Sequence, residues 1–327
     1  MDRPTDAPDA VDNEQTQEEV RTLEHLKEQL QEPTKVLLEQ HQLLPVLGQL
    51  KVLSRKQHIR KAIGKEGIKS LIRHLNNSKH INKLAAESAN VILNICYEKE
   101  NVHDVLECGG TATLVSFLSS DDDELQANAA GALQSICFQP EGRRAVRALG
   151  AIPQLIKLLD AESISVKARA VGALHNMSSD VYAIPVIRRK GGIKSLVQLL
   201  RSENLSVCGS AAGALQNVSR EVASRLIIRE SPALPLLVDL LSYSEVHVQV
   251  SAAGALLNIL GPEMNETSVS QNTMEKKRKA FVRTVISMLV ANLIHDTCFA
   301  SCPSKSSYSS HLLRKASETI SRCQGLK

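Results

Sequence analysis

Gly191-Gly192-Ile193-Lys194-Ser195-Leu196-Val197-Gln198-Leu199-Leu200, followed by Ala211-Ala212-Gly213-Ala214-Leu215-Gln216-Asn217-Val218-Ser219, is the stretch from which the fold is read. A glycine pair that can take the left-handed conformation closes one helix. A short apolar helix follows, and then a longer one rich in small residues. The second half recurs along the chain as Ala-Asn-Val-Ile-Leu-Asn-Ile-Cys (89–96), Ala-Gly-Ala-Leu-Gln-Ser-Ile-Cys (130–137), Val-Gly-Ala-Leu-His-Asn-Met-Ser (171–178) and Ala-Gly-Ala-Leu-Leu-Asn-Ile-Leu (253–260). The polar residue near its end falls at Asn94, Ser135, Asn176, Asn217 and Asn258, each 41 residues after the last. Gly109-Gly110, Gly150-Ala151, Gly191-Gly192 and Pro232-Ala233 keep the same step. A fainter copy, Leu47 to Ser54, lies 42 residues before the first, with Val52 in place of the amide.

Within one unit, residues 141–181, the pattern predicts three helices. Arg143 to Leu149 is a short first helix closed by Gly150. Pro153 sits in the first turn of the second, where a missing N–H costs nothing. Ile164 to Ser178 forms the third, with Val166, Ala170, Ala173, Leu174 and Met177 on one stripe. A single unit cannot hide that stripe, so the units must stack. The expected fold is all-α, a right-handed α-solenoid. It comprises an acidic disordered arm (1–15), N-terminal helices with a degenerate first repeat (16–57), repeats of 41-residue period (58–262), a polar linker (263–280) and a degenerate final repeat or tail (281–327).

Composition points the same way. Hydrophobic residues are 43% but aromatics only 2%, with no Trp, so the core is Leu, Ile, Val and Ala, which suits close-packed helices better than strands. The net charge is +4, yet residues 1–33 hold ten acids against Arg3, Arg21 and Lys27. Bases elsewhere are mixed with acids and aromatics for base stacking are scarce, which argues against nucleic acid. Seven cysteines follow no disulfide framework, and Cys298 and Cys302 lack a second pair at metal-ligand spacing. No apolar run reaches membrane-spanning length and the acidic start does not read as a signal peptide. The expectation is a cytoplasmic protein, with the nucleus as a second compartment, because Lys276-Lys277-Arg278-Lys279 is a weak nuclear-localisation pattern beside its bland reading as a solvated linker.

The Gly-Gly-Ile-x-x-Leu-Val-x-Leu-Leu and Ala-Ala-Gly-Ala-Leu-x-Asn-Val-Ser segments resemble the armadillo repeat of β-catenin, plakophilins and importin-α over residues 58–260. That resemblance implies a groove lined by third helices, in which an amide near the end of each hydrogen-bonds the backbone of an extended peptide. An amide suits this role because it offers both donor and acceptor. The implied groove residues are Asn94, Ser135, Asn176, Asn217 and Asn258. The competing reading is that these amides cap or solvate helix ends. Four places earlier, where importin-α commonly carries Trp, stand Asn90, Gly131, Gly172, Gly213 and Gly254. That departure argues against a nuclear-import receptor. The glycines mean either a floor open to a partner, with exposed Leu93 and Leu257 beside it, or closely approaching helices. Seven places before the amide, Arg169 is the only base, in a middle repeat that also holds Arg143, Arg144, Arg147, Lys157 and Lys167. An acidic or phosphorylated segment would suit it, and so would plain solvent.

No phosphate loop, nucleophile elbow or metalloprotease motif occurs, so no enzyme, cofactor, metal or small-molecule substrate is expected. The expected function is a protein-binding adaptor or scaffold holding an extended or disordered segment of a partner. The alternative is a small-GTPase or cytoskeletal or ciliary assembly regulator that acts by surface docking. On the groove reading, Ala at Asn176 and Asn217 weakens capture and leaves thermal stability nearly unchanged. Far-UV circular dichroism should show the helical double minimum, unaltered by chelator; a strand-dominated spectrum would contradict the reading.

Overall fold

The computed structural model describes residues 9–31, 39–78 and 81–259. They form seventeen α-helices and two 3₁₀ turns, with no strand among the described residues. The chain divides into two compact units, 1–183 and 184–327. The expected linker and final segment, 263–327, lie outside the described residues.

The first unit opens with α1 (Asp9–Gln31) and α2 (Glu39–Leu53). The sequence pattern puts the first helix after a disordered arm that ends at residue 15, and α1 reaches into that arm. The helix starts at Asp9, because a helix once nucleated grows at little further cost per residue. Leu23, Leu26 and Leu30 form its buried stripe. Three triplets of helices follow: α3 (Gln57–Ala62), α4 (Gly64–Asn77) and α5 (Asn82–Ile95); α6 (Lys99–Glu107), α7 (Gly110–Phe117) and α8 (Asp123–Ile136); α9 (Pro140–Ala148), α10 (Ala151–Lys157) and α11 (Ile164–Met177). The third helices pack in sequence, α2 on α5, α5 on α8 and α8 on α11. The degenerate copy therefore occupies the place of a third helix.

The second unit holds two triplets: α12 (Ile184–Arg189), α13 (Gly192–Leu199) and α14 (Leu205–Val218); α15 (Val222–Arg229), α16 (Ala233–Asp239) and α17 (Val246–Ile259). Here α14 packs on α17.

The stripe read from sequence in α11 is fully buried: Val166, Ala170, Ala173, Leu174 and Met177. Each such side chain contributes about 1.5–3 kcal/mol when large, so stacking dominates the stability. Gly109, Gly150 and Gly191 stand at positive φ immediately before α7, α10 and α13, where a side chain would be strained. Asp122 caps α8 by accepting from the Leu125 N–H at 2.9 Å, and Asn204 caps α14 through the Ser206 and Val207 N–H groups.

Arginines at a 41-residue step tie each first helix to the end of its own triplet. Arg147 donates from Nε to Asp180 (2.9 Å) while its guanidinium lies 5.3 Å from the Tyr182 ring centre. Arg188 grips Glu221 with Nε and Nη2 at 2.8 and 3.1 Å. Arg229 donates from Nε to the Ile259 carbonyl at 2.8 Å. The Arg188 hydrogen bond holds the Glu221 carboxyl below its ordinary value, helped by the Ser224 hydroxyl and opposed by partial burial.

Two predictions follow from this packing. A folded-state pKa below the unfolded one stabilises above the unfolded value and is lost as pH falls through the folded one. The stability lead of wild type over Glu221→Gln should therefore be full at neutral pH and shrink progressively as pH falls below the unfolded glutamate value of about 4.3, as followed by urea titration. At Gly142 a Cβ would collide with the Ile136 backbone carbonyl. Gly142→Val should thus cost about 1–3 kcal/mol, seen as a lowered thermal midpoint; an unchanged midpoint would contradict the packing.

Candidate functional site: the third-helix face

The end of each third helix is where the sequence-predicted residues gather. At the C-terminus of α8 the backbone tightens from i→i−4 to i→i−3 bonding: the Cys137 N–H donates to Leu133 and the Phe138 N–H to Ser135. The carbonyl of Gln134 is passed over. The same step skips Lys51 at the end of α2 and Gln216 at the end of α14, where Ser54 and Ser219 donate to Leu50 and Leu215 and the following residues move to i−3. Helix ends always leave such carbonyls. Here the next repeat satisfies them. Asn94 donates from Nδ2 to the Lys51 carbonyl (3.2 Å), Asn176 to Gln134 (2.8 Å) and Asn258 to Gln216 (3.0 Å). Ser54 and Ser219 hydroxyls donate to the same Lys51 and Gln216 carbonyls, at 3.0 and 2.8 Å.

The capping reading of the amides therefore holds in an unforeseen form: each caps the third helix before its own. The amides remain half-exposed, and each keeps its Oδ1 and a second N–H beyond this backbone bond. Asn258 and Asn94 also reach the hydroxyls of Ser219 and Ser54. Asn217 is half-exposed at the same register of α14. Ser135 is buried at its place in α8, too short to span to α5 as an amide does. That junction is held otherwise: Asn90 donates to Asn128 Oδ1 (3.0 Å), and Asn128 donates to the Ala86 carbonyl (3.1 Å). Asn90 stands at the register of the glycines and Asn128 at that of Arg169, and their 38-residue separation is the signal that the sequence offers.

The glycines resolve toward close approach. A Cβ on Gly172 would come within 2.5 Å of the Gln134 amide, one on Gly254 would meet Gln216, and one on Gly131 would meet Leu93. The side chain just before each ladder position thus fills the notch left by the next repeat's glycine. Leu93, expected to be an exposed contact, is buried for this reason, 5% accessible, whereas Leu257 stays half-exposed. Arg169 also lies along Gly131, its Cδ 3.2 Å from where a Cβ would stand. Cys96 and Cys137 fill helix ends, and burial pushes both thiols far above their ordinary pKa.

The armadillo/β-catenin-like repeat model matches residues 98–138, 139–179, 181–220 and 223–261. This is an armadillo-repeat protein. Its fold is the α-solenoid of that family. No curated protein sequence matches the chain. Among solved structures, an engineered protein from the Northeast Structural Genomics Consortium shares 29% identity at TM-score 0.66, covering 72% of this armadillo chain and 96% of its own. Computationally designed armadillo repeat proteins for modular peptide recognition share 26% at TM-score 0.61, covering 72% and 98%. A designed armadillo repeat protein in complex with peptide (KR)4 shares 25% at TM-score 0.63, covering 72% and 99%. Among the described helices of this armadillo protein, none is long and apolar enough to cross a membrane.

The bond from Asn176 to Gln134 revises the sequence expectation that Ala at this position leaves thermal stability nearly unchanged. Asn176→Ala should cost about 1 kcal/mol, visible in the thermal midpoint. No shift would mean that the capping bond carries no weight.

Proposed function

We propose that this armadillo protein is an adaptor or scaffold that holds an extended segment of a partner protein along its third-helix faces, α5, α8 and α11 in the first unit and α14 and α17 in the second. The observation that supports this most directly is the half-exposed amide at Asn94, Asn176, Asn217 and Asn258, each at one register of its own third helix. At Asn94, Asn176 and Asn258, bonding to the helix before fixes the amide's orientation, so a peptide backbone meets the Oδ1 acceptor already positioned, with a second N–H beside it at Asn176. The two similar designed proteins, titled for peptide recognition and for a bound peptide, favour the same use of the face. No catalytic step is assigned to it. Cys96, Cys108, Cys137 and Cys208 are unpaired, which suits a reducing compartment such as the cytoplasm.

Docking through the outer helices, as a regulator of assembly, is favoured by one feature. Val222, Leu226 and Ile227 of α15 are 50%, 53% and 41% exposed. Leu226 and Val222 are one turn apart and present a single small apolar patch.

The two readings separate by substitution. Ser210→Trp with Ser251→Trp places bulk on the half-exposed third-helix face of the second unit, Leu226→Asp charges the outer patch, and Gln198→Trp alters exposed α13 as a control. Affinity capture from native lysate, quantified by mass spectrometry, should lose its recovered proteins only with the serine pair. Loss only with Leu226→Asp would transfer the function to the outer helices.

A further inference from the structure

Six bases made the middle repeat the most positive in the sequence, and the structure sorts them. Arg144 and Lys157 are exposed on α9 and α10, as solvated charges are. Arg143 donates to the Cys137 and Phe138 carbonyls at the end of α8, and Arg147 is held by Asp180. Lys167 is half-buried on α11, two residues from Arg169 and therefore on another side of the helix. Arg169 remains.

Its surroundings set it apart from the other arginines withdrawn from solvent. Arg60 has Glu98 at 3.0 Å, Arg188 has Glu221, and Arg225 and Arg229 reach the Ser219 and Ile259 carbonyls. Arg169 is equally half-buried, yet its guanidinium meets no carboxylate, carbonyl or aromatic ring among the described residues. The stem is laid against Gly131, where the absence of a Cβ gives it room. A guanidinium drawn partly out of water with its donors unused is poised for an anion, and its planar fork matches a carboxylate with two parallel bonds.

We propose that Arg169 reads an acidic side chain, an Asp or Glu carboxylate, in the extended segment held on α8 and α11. This rests on the third-helix face being the binding surface and specifies one feature of its occupant. Asn176, on the same helix and about 10 Å along its axis at 1.5 Å per residue, is the nearest ladder amide for that segment's backbone. The Gln134 side chain lies over Gly172, one turn from Arg169 on α11, so the anion site is bordered by a neutral amide rather than by a competing acid. Charge complementarity selects the occupant: at this register the other third helices carry Glu87, already paired with Lys51 at 2.8 Å, or the uncharged Asn128, Ser210 and Ser251.

The test is selection from a random peptide library displayed on phage, using the whole chain as bait. Wild type should enrich peptides with Asp or Glu at one aligned position. Arg169→Gln should reduce that enrichment about tenfold, and Arg169→Glu should turn the preference to Lys or Arg at the same position. Arg144→Glu, the same charge change at an exposed site, should select as wild type does. Circular dichroism confirms that each variant is folded. An acidic preference surviving both Arg169 variants, or lost equally with Arg144→Glu, would overturn the assignment. Peptides recovered without acidic preference would sink this inference alone, whereas recovery of no peptide by wild type would sink the third-helix reading with it.

Discussion

The carbonyls of Lys51, Gln134 and Gln216 sit where a third helix tightens its last turn, and each is left without a backbone donor. The amide of the following repeat reaches back over 42 or 43 residues to supply one. A buried carbonyl without a partner costs about 1–3 kcal/mol; Lys51 and Gln216 also accept from the Ser54 and Ser219 hydroxyls, so it is at Gln134 that the amide bond most penalises a stacking in which the next repeat slides by a turn. The larger stabilisation comes from burying stripes such as Val166, Ala170, Leu174 and Met177. Burial is non-directional and would tolerate several registers; the amide bond is directional and selects one. Size and specificity are thus contributed by different groups.

The notch at Gly131, Gly172 and Gly254 works in the same way. A glycine inside a helix costs about 1 kcal/mol relative to alanine. Here its missing Cβ admits Leu93, Gln134 or Gln216 from the repeat before. The pairs α8 with α11 and α14 with α17 are keyed twice, by a side chain in a notch and by an amide on a carbonyl, within about one turn of each other.

Charge is placed with equal economy. Arg147, Arg188 and Arg229 recur at one register of the first helices, and each is satisfied within its own triplet. They hold the connections that leave the third helices and so fix where those helices end. Arg169 is of the same residue type in a position where no described residue answers it. On the reading proposed above, the contrast between a satisfied arginine and an unanswered one separates scaffold from binding chemistry.

Period, helix content and the identity of the stripe were legible in the sequence because they depend on local spacing: Gly150 and Gly191 end helices, and Ala170, Ala173 and Met177 fall on one face whatever lies opposite. The ladder Asn94, Asn176, Asn217 and Asn258 was legible as a register, and so was the odd Ser135. What each side chain faces depends on residues some forty positions away, brought near only by stacking. Tertiary packing alone decided that Leu93 is buried rather than exposed, that Asn128 pairs with Asn90, and that Asn176 bonds Gln134. It likewise decided that, of the three arginines withdrawn from solvent in the middle repeat, Arg143 and Arg147 have acceptors and Arg169 has none among the described residues. The physical reason is that side-chain period within a helix is set by the chain, whereas the partner of a directional bond is set by the neighbouring helix.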